Sequence, residues 1–65
     1  MENIILNVRA LAAMMKISIE ELADRCEIER SHLKQVSAGN VKMTAYDLRQ
    51  LSKVTGVPAD NIAIE

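Results

Sequence analysis

The sequence is poor in the residues that build sheets, disulfides and long loops. Its 65 residues include no tryptophan or phenylalanine, one tyrosine, one cysteine, one proline and two glycines. Because Tyr46 is the single aromatic residue, a core must be built from aliphatic side chains and methionine, which favours helices over a sheet. A lone cysteine also excludes an internal disulfide. We therefore predict an all-α chain.

Long apolar runs are missing as well. No stretch approaches the roughly 18 apolar residues that a membrane-spanning helix requires, and no charged-then-apolar leader is present. Together with the single cysteine, this predicts a cytoplasmic protein and no membrane partner. The length predicts one domain, residues 1–65, with one small core. Domains of this size often gain stability from oligomerisation, so we expect a homodimer.

Residues 18–38 predict two short helices joined by a tight turn. Ser18 and Glu21 have the spacing of a capping box at the start of the first helix. A turn follows at Glu27, and the second helix begins near Glu29. Each helix has apolar positions at the spacing of one buried face, which are Leu22, Ala23 and Cys26 in the first and Leu33 and Val36 in the second.

Polar side chains occupy the opposite face of the second helix. Arg30 and Lys34 form one i, i+4 row, and Ser31 and Gln35 form the row beside it. A short helix that is anchored on one side and polar on the other, placed after a tight turn, is typical of a DNA-reading unit.

Charge is distributed unevenly although the net charge is only −1. Residues 18–29 contain five carboxylates and one arginine, whereas residues 30–53 contain five lysines and arginines and one aspartate. A phosphate backbone would be attracted by the second block and repelled by the first. The sequence thus predicts a fixed orientation on DNA with weak net attraction.

Further helices are predicted on both sides of this unit. Helix one starts after Asn3 and runs to about Met15, with an apolar stripe made of Ile4, Val8, Leu11, Ala12 and Met15. Helix four starts with a second capping arrangement at Thr44 and Asp47 and ends at Gly56.

The end of the chain predicts a short fifth helix, because Pro58 suits a first helical position. Residues 37–43 are predicted to be a loop. Ile62 and Ile64 follow the last helix as apolar anchors, so the segment 57–64 is the natural candidate for a dimer surface, which the sequence alone does not fix.

These features together resemble the lambda-repressor-like, Cro/XRE-type helix-turn-helix family over nearly the whole chain. The resemblance rests on the run Ser18-Ile19-Glu20-Glu21-Leu22-Ala23, on Leu33, Val36 and Gly39, and on Leu48 and Leu51 with Thr55-Gly56-Val57 and Ile62. It implies a compact five-helix domain whose third helix lies in the major groove, with two protomers reading a palindromic operator.

The resemblance also assigns site residues and a role. It places base contacts at Arg30, Ser31, Lys34 and Gln35 and phosphate contacts at Asn40 and Lys42. In this interpretation the chain is a transcriptional regulator, more specifically a repressor, because one small domain has no room for an effector-sensing part. No cofactor, metal or small-molecule effector is expected.

The sequence departs from the family pattern at three places. Ile19 stands where a phosphate-contacting glutamine is usual. Glu27 stands where glycine is usual, which implies a strain of roughly 1–2 kcal/mol if its backbone is left-handed. Ala12 and Ser37 stand where many family members have a buried ion pair. Because both charged residues are absent, no unpaired charge is left buried.

Other residues receive plainer interpretations. His32 is predicted to be a bystander, and Cys26 a small buried hydrophobe. No motif of catalysis is present, so we expect no enzyme. The competing hypothesis is a protein-interaction module, such as an anti-repressor, that uses the acidic stretch around Glu20, Glu27 and Glu29 and has little DNA affinity.

Overall fold

The computed structural model describes residues 5–63 and consists of α-helices joined by short connections. The helices are α1 (Val8–Met15), α2 (Ile19–Cys26), α3 (Arg30–Ala38) and α4 (Ala45–Thr55). The all-α prediction is confirmed for these residues. The predicted fifth helix is a three-residue 3-10 turn, Ala59–Asn61, so the five-helix count is not confirmed.

The start of α1 was predicted too early. Asn7 is its N-cap, and the Asn7 side chain accepts a hydrogen bond of 2.8 Å from the Ala10 amide. The residue before it, Leu6, is extended and forms an isolated parallel bridge with Ile62. The Leu6 amide donates to the Asn61 carbonyl and the Ala63 amide donates to the Leu6 carbonyl, each over 2.8 Å. The predicted cap Asn3 and the stripe residue Ile4 lie outside the described residues.

All four helices contribute to one core. The predicted inward residues of α2 and α3 are buried as expected, whereas on α4 only Leu51 is fully buried and Leu48 and Val54 are half-buried. The buried apolar set is Val8, Leu11, Ala12, Leu22, Ala23, Cys26, Ile28, Leu33, Val36, Leu51 and Ile62.

The burial of Ile62 removes this residue from the candidate dimer surface. Only 4% of this residue is exposed, because the bridge to Leu6 holds it against the core. It is an anchor of the single chain rather than a free apolar contact for a second copy. Ile64, the other predicted anchor, lies outside the described residues.

The caps of α2 and α4 follow the predictions with one exception. Thr44 and Asp47 form the full capping box of α4, and Gly56 ends that helix in a left-handed conformation with φ of 79°. Ser18 Oγ accepts from the Glu21 amide over 3.1 Å, as predicted for α2. The Glu21 carboxylate, however, accepts from Arg25 over 2.8 Å instead of returning to the cap. α3 extends to Ala38, so the following loop begins later than predicted.

Candidate nucleic-acid interface

The turn between α2 and α3 has the predicted left-handed residue. Glu27 ends α2 with φ of 57°, and Ile28 after it is buried in the core. Glu29 is the N-cap of α3 but makes no side-chain capping bond. The turn is therefore fixed by its backbone and by the buried Ile28, at the cost of a left-handed residue that carries a side chain.

Two side chains of α4, one helical turn apart, hold the end of α2. The Tyr46 hydroxyl donates to the Glu27 carbonyl over 3.0 Å, and the Gln50 amide donates to the Cys26 carbonyl over 2.9 Å. The Cys26 thiol in turn contacts the Gln50 carbonyl at 3.7 Å. These contacts satisfy carbonyls that the helix itself leaves unpaired, and they attach the turn to α4.

Cys26 is the small buried residue that was predicted. It is fully buried, and burial raises the pKa of its thiol. A protonated, inaccessible thiol is a poor nucleophile and a poor metal ligand.

All six predicted site residues are exposed to solvent. They are Arg30, Ser31, Lys34 and Gln35 on α3 and Asn40 and Lys42 in the following loop. The opposite face of α3 is anchored through Leu33 and Val36. The two rows predicted from helical spacing therefore lie on the accessible side of α3.

One contact joins the helix to the loop. The Asn40 side-chain amide donates to Gln35 Oε1 over 2.9 Å. This bond holds two of the predicted DNA contacts beside each other. It still leaves the Gln35 amide group and a second lone pair on Oε1 available to a base edge.

Arg30 contacts α2 through two parallel hydrogen bonds. Its Nε lies 2.9 Å from Asp24 Oδ1, and its Nη2 lies 2.5 Å from Asp24 Oδ2. The pKa of Asp24 is lowered chiefly by these hydrogen bonds, and the pKa of Arg30 is raised for the same reason. Both side chains therefore stay charged at neutral pH, although the Arg30 side chain remains 60% exposed.

Lys34 of α3 makes a similar contact with Glu20 of α2, and these two residues lie one helical turn from Arg30 and Asp24 respectively. Its Nζ lies 2.7 Å from Glu20 Oε2, and the hydrogen bond from Lys34 is the main cause of a lowered Glu20 pKa. The two blocks of opposite charge were predicted to act separately on DNA. Side chains from both blocks instead meet between α2 and α3, so part of the charge is cancelled within the protein.

The bystander interpretation of His32 was wrong. His32 Nε2 lies 2.6 Å from Asp47 Oδ2, and only 3% of the Asp47 side chain is exposed. Burial acts to raise the pKa of Asp47, but hydrogen bonds from the Thr44 amide and from His32 outweigh it, so the pKa is lowered. A carboxylate only accepts, so the imidazole donates and α3 is attached to the start of α4.

The three departures from the family pattern have simple structural outcomes. Ile19 packs against the core at half burial rather than reaching outward. Ala12 is buried and Ser37 is half-buried, so neither position carries a charge where many family members have a buried ion pair. Glu27 adopts the left-handed conformation that glycine usually supplies.

Within residues 5–63, no three histidine, cysteine or acidic side chains are grouped closely enough to hold a metal ion. The same part of the chain has no helix with the length and apolar character needed to span a bilayer. Comparison with protein-family models, with curated proteins and with solved structures gave no match.

Proposed function

We propose that this chain is a sequence-specific DNA-binding transcriptional regulator of the lambda-repressor-like, helix-turn-helix kind. The observation that carries the proposal is the surface of α3. Arg30, Ser31, Lys34 and Gln35 are exposed on a helix whose other side is anchored in the core. Tyr46 fixes the turn before that helix through its bond to the Glu27 carbonyl. A rigid, polar, short helix is what a major groove accommodates.

Three of the exposed residues have a DNA contact that suits their chemistry. Arg30 would donate to guanine O6 and N7, and Gln35 would pair with adenine N6 and N7. The bond from Asn40 to Gln35 supports the second contact because it restricts the rotation of the amide. Lys42, on the loop beside α3, would contact phosphate and thereby set the position of the helix in the groove.

Two copies are proposed to bind a palindromic operator, with half-sites about one helical turn apart. We propose repression, in which the protein bound at the operator blocks polymerase. No catalytic step and no cofactor are part of this proposal.

The test is selection of bound duplexes from a randomised DNA pool at low and near-physiological salt. We expect a two-fold-symmetric sequence to be enriched, and binding to fall steeply between roughly 50 and 200 mM salt as counterions are displaced. Arg30→Ala should lose the enrichment. Arg49→Ala is the matched control, because it removes an exposed arginine from α4. Failure to enrich any sequence at either salt would contradict the proposal.

A second function is favoured by one specific observation. Three cations of α2 and α3 are each paired with a carboxylate, as Arg25 with Glu21, Arg30 with Asp24 and Lys34 with Glu20. Such a surface attracts phosphate weakly, which suits a protein-interaction module. In that case binding should involve a protein partner and respond little to salt.

Substitution of the carboxylates on the turn between α2 and α3 distinguishes DNA binding from protein binding. Glu27 and Glu29 are exposed beside α3. Glu27→Gln with Glu29→Gln should weaken binding to a protein partner. The same change should strengthen DNA binding, because it removes two negative charges near the phosphates.

A further inference from the structure

The contact between Asp24 and Arg30 uses only one side of the guanidinium group. Asp24 accepts from Nε and from one N–H of Nη2. The guanidinium is planar and has five N–H donors, so two donors on Nη1 and one on Nη2 remain. The remaining Nη1 and Nη2 donors form a second edge, which points away from the carboxylate.

We propose that Asp24 is a positioning residue that orients the free edge of Arg30 toward a guanine in the major groove. This rests on the proposed DNA-binding function and adds a determinant of its specificity. Guanine presents O6 and N7 as a pair of acceptors, which matches two parallel N–H groups of one guanidinium edge. Asp24 itself touches no base and acts only through Arg30.

The positions of the two residues support this role. Asp24 lies within α2, and Arg30 is the first residue of α3, across the fixed turn. The carboxylate is therefore attached to the scaffold, while the arginine is the long side chain that must be ordered. Holding it in one geometry before DNA arrives lowers the entropy lost on binding. It also favours the base that fits that geometry.

The neighbouring pair provides an internal comparison. Lys34 contacts Glu20 through a single ammonium group at 2.7 Å. An ammonium has no planar fork, so a carboxylate cannot orient it toward a pair of acceptors. Glu20 also attracts Arg30, but its hydrogen bond is to Lys34 and it makes none to the guanidinium. Glu20 should therefore affect the charge of the surface and not the orientation of Arg30, whereas Asp24 should affect both charge and base preference.

Asp24→Asn separates these two effects. The change removes a negative charge near the phosphates, so affinity for unrelated DNA should rise. Orientation of Arg30 should weaken, so the preference for guanine over adenine at the contacted position should fall from about tenfold to about twofold. An affinity that rises while discrimination falls is a signature that a merely structural role would not produce.

The experiment measures equilibrium binding of the full chain to the selected operator, to the same operator with that guanine replaced, and to unrelated DNA. Glu20→Gln is the matched control, which should raise affinity and keep the preference. Arg30→Lys should lose the preference, and adding Asp24→Asn to it should change the preference no further. Because Asp24 is exposed, the variants should fold, which circular dichroism checks.

Two other outcomes are informative. If Asp24→Asn binds more tightly and keeps the full guanine preference, the pair merely competes with DNA and the inference is overturned. If the wild-type chain selects no DNA sequence at all, the proposed function fails and the inference falls with it. The first outcome leaves the DNA-binding function standing, so the two failures are distinguishable.

Discussion

Replacing Asp47 by asparagine should destabilise the domain while leaving its shape nearly unchanged. Asp47 Oδ2 accepts two hydrogen bonds, from the Thr44 amide at 3.0 Å and from His32 Nε2 at 2.6 Å. Hydrogen bonds to a charged group contribute about 1.5–3 kcal/mol each and those between neutral groups about 0.5–1.5 kcal/mol, so replacing the shared carboxylate oxygen by a neutral amide oxygen weakens both bonds. The expected loss in the free energy of unfolding is therefore about 1.5–3 kcal/mol.

Urea and thermal unfolding followed by circular dichroism measure this loss. For a domain of this size each kcal/mol corresponds to about 4–8 °C, so Tm should fall by at least about 6 °C. Asp60→Asn is the matched control, because it makes the same chemical change at an exposed residue. A loss no larger than that of Asp60→Asn would refute the reasoning.

The pH dependence of the same variant gives an independent check. The pKa of Asp47 is lower in the folded protein than its ordinary value, so the unfolded chain takes up the proton first as the pH falls. Its contribution is thus fully present above about pH 4 and is lost as the pH falls through the folded-state pKa. The stability difference between wild type and Asp47→Asn should therefore shrink below about pH 4. A difference that stays constant down to pH 2 contradicts the assignment.

Two further substitutions test the turn and the closing bridge. Glu27→Gly should stabilise the domain by about 1 kcal/mol, because glycine tolerates the left-handed backbone at φ 57°, and Lys16→Gly at φ 60° should act in the same direction; an unchanged urea midpoint at both sites would count against backbone strain. Ile62→Asp should unfold the chain at neutral pH, at a cost of about 3 kcal/mol or more, whereas Ile5→Asp at an exposed position should not. A folded, monomeric Ile62→Asp variant would instead restore Ile62 as a dimer anchor.

Local signals in the sequence predicted local structure well. The capping box of Thr44 and Asp47, the left-handed Gly56 and the buried faces of α2 and α3 each depend on residues within one or two turns of each other. Such patterns are set by helix geometry alone, so spacing reveals them.

Contacts between elements were missed because spacing along one helix does not report them. His32 and Asp47 are separated by fifteen positions and meet only because α3 packs beside the start of α4. Arg30 was assigned to the reading face from its own helix, and nothing on that helix indicates that Asp24 lies opposite. The predicted start of α1 was too early for a related reason. The pairing of Leu6 with Ile62, which is distant in the sequence, competes with helix formation at Leu6.

The bridge between Leu6 and Ile62 has a mechanical consequence. Because the two segments run parallel, a force that pulls the beginning and the end of the described chain apart acts along the segments, in shear. The two bonds made by the Leu6 amide and the Leu6 carbonyl then carry the load together instead of breaking in turn. When they yield, Ile62 leaves the core in the same event. Under tension this small domain should therefore open abruptly at its joined ends, with the four helices released afterwards.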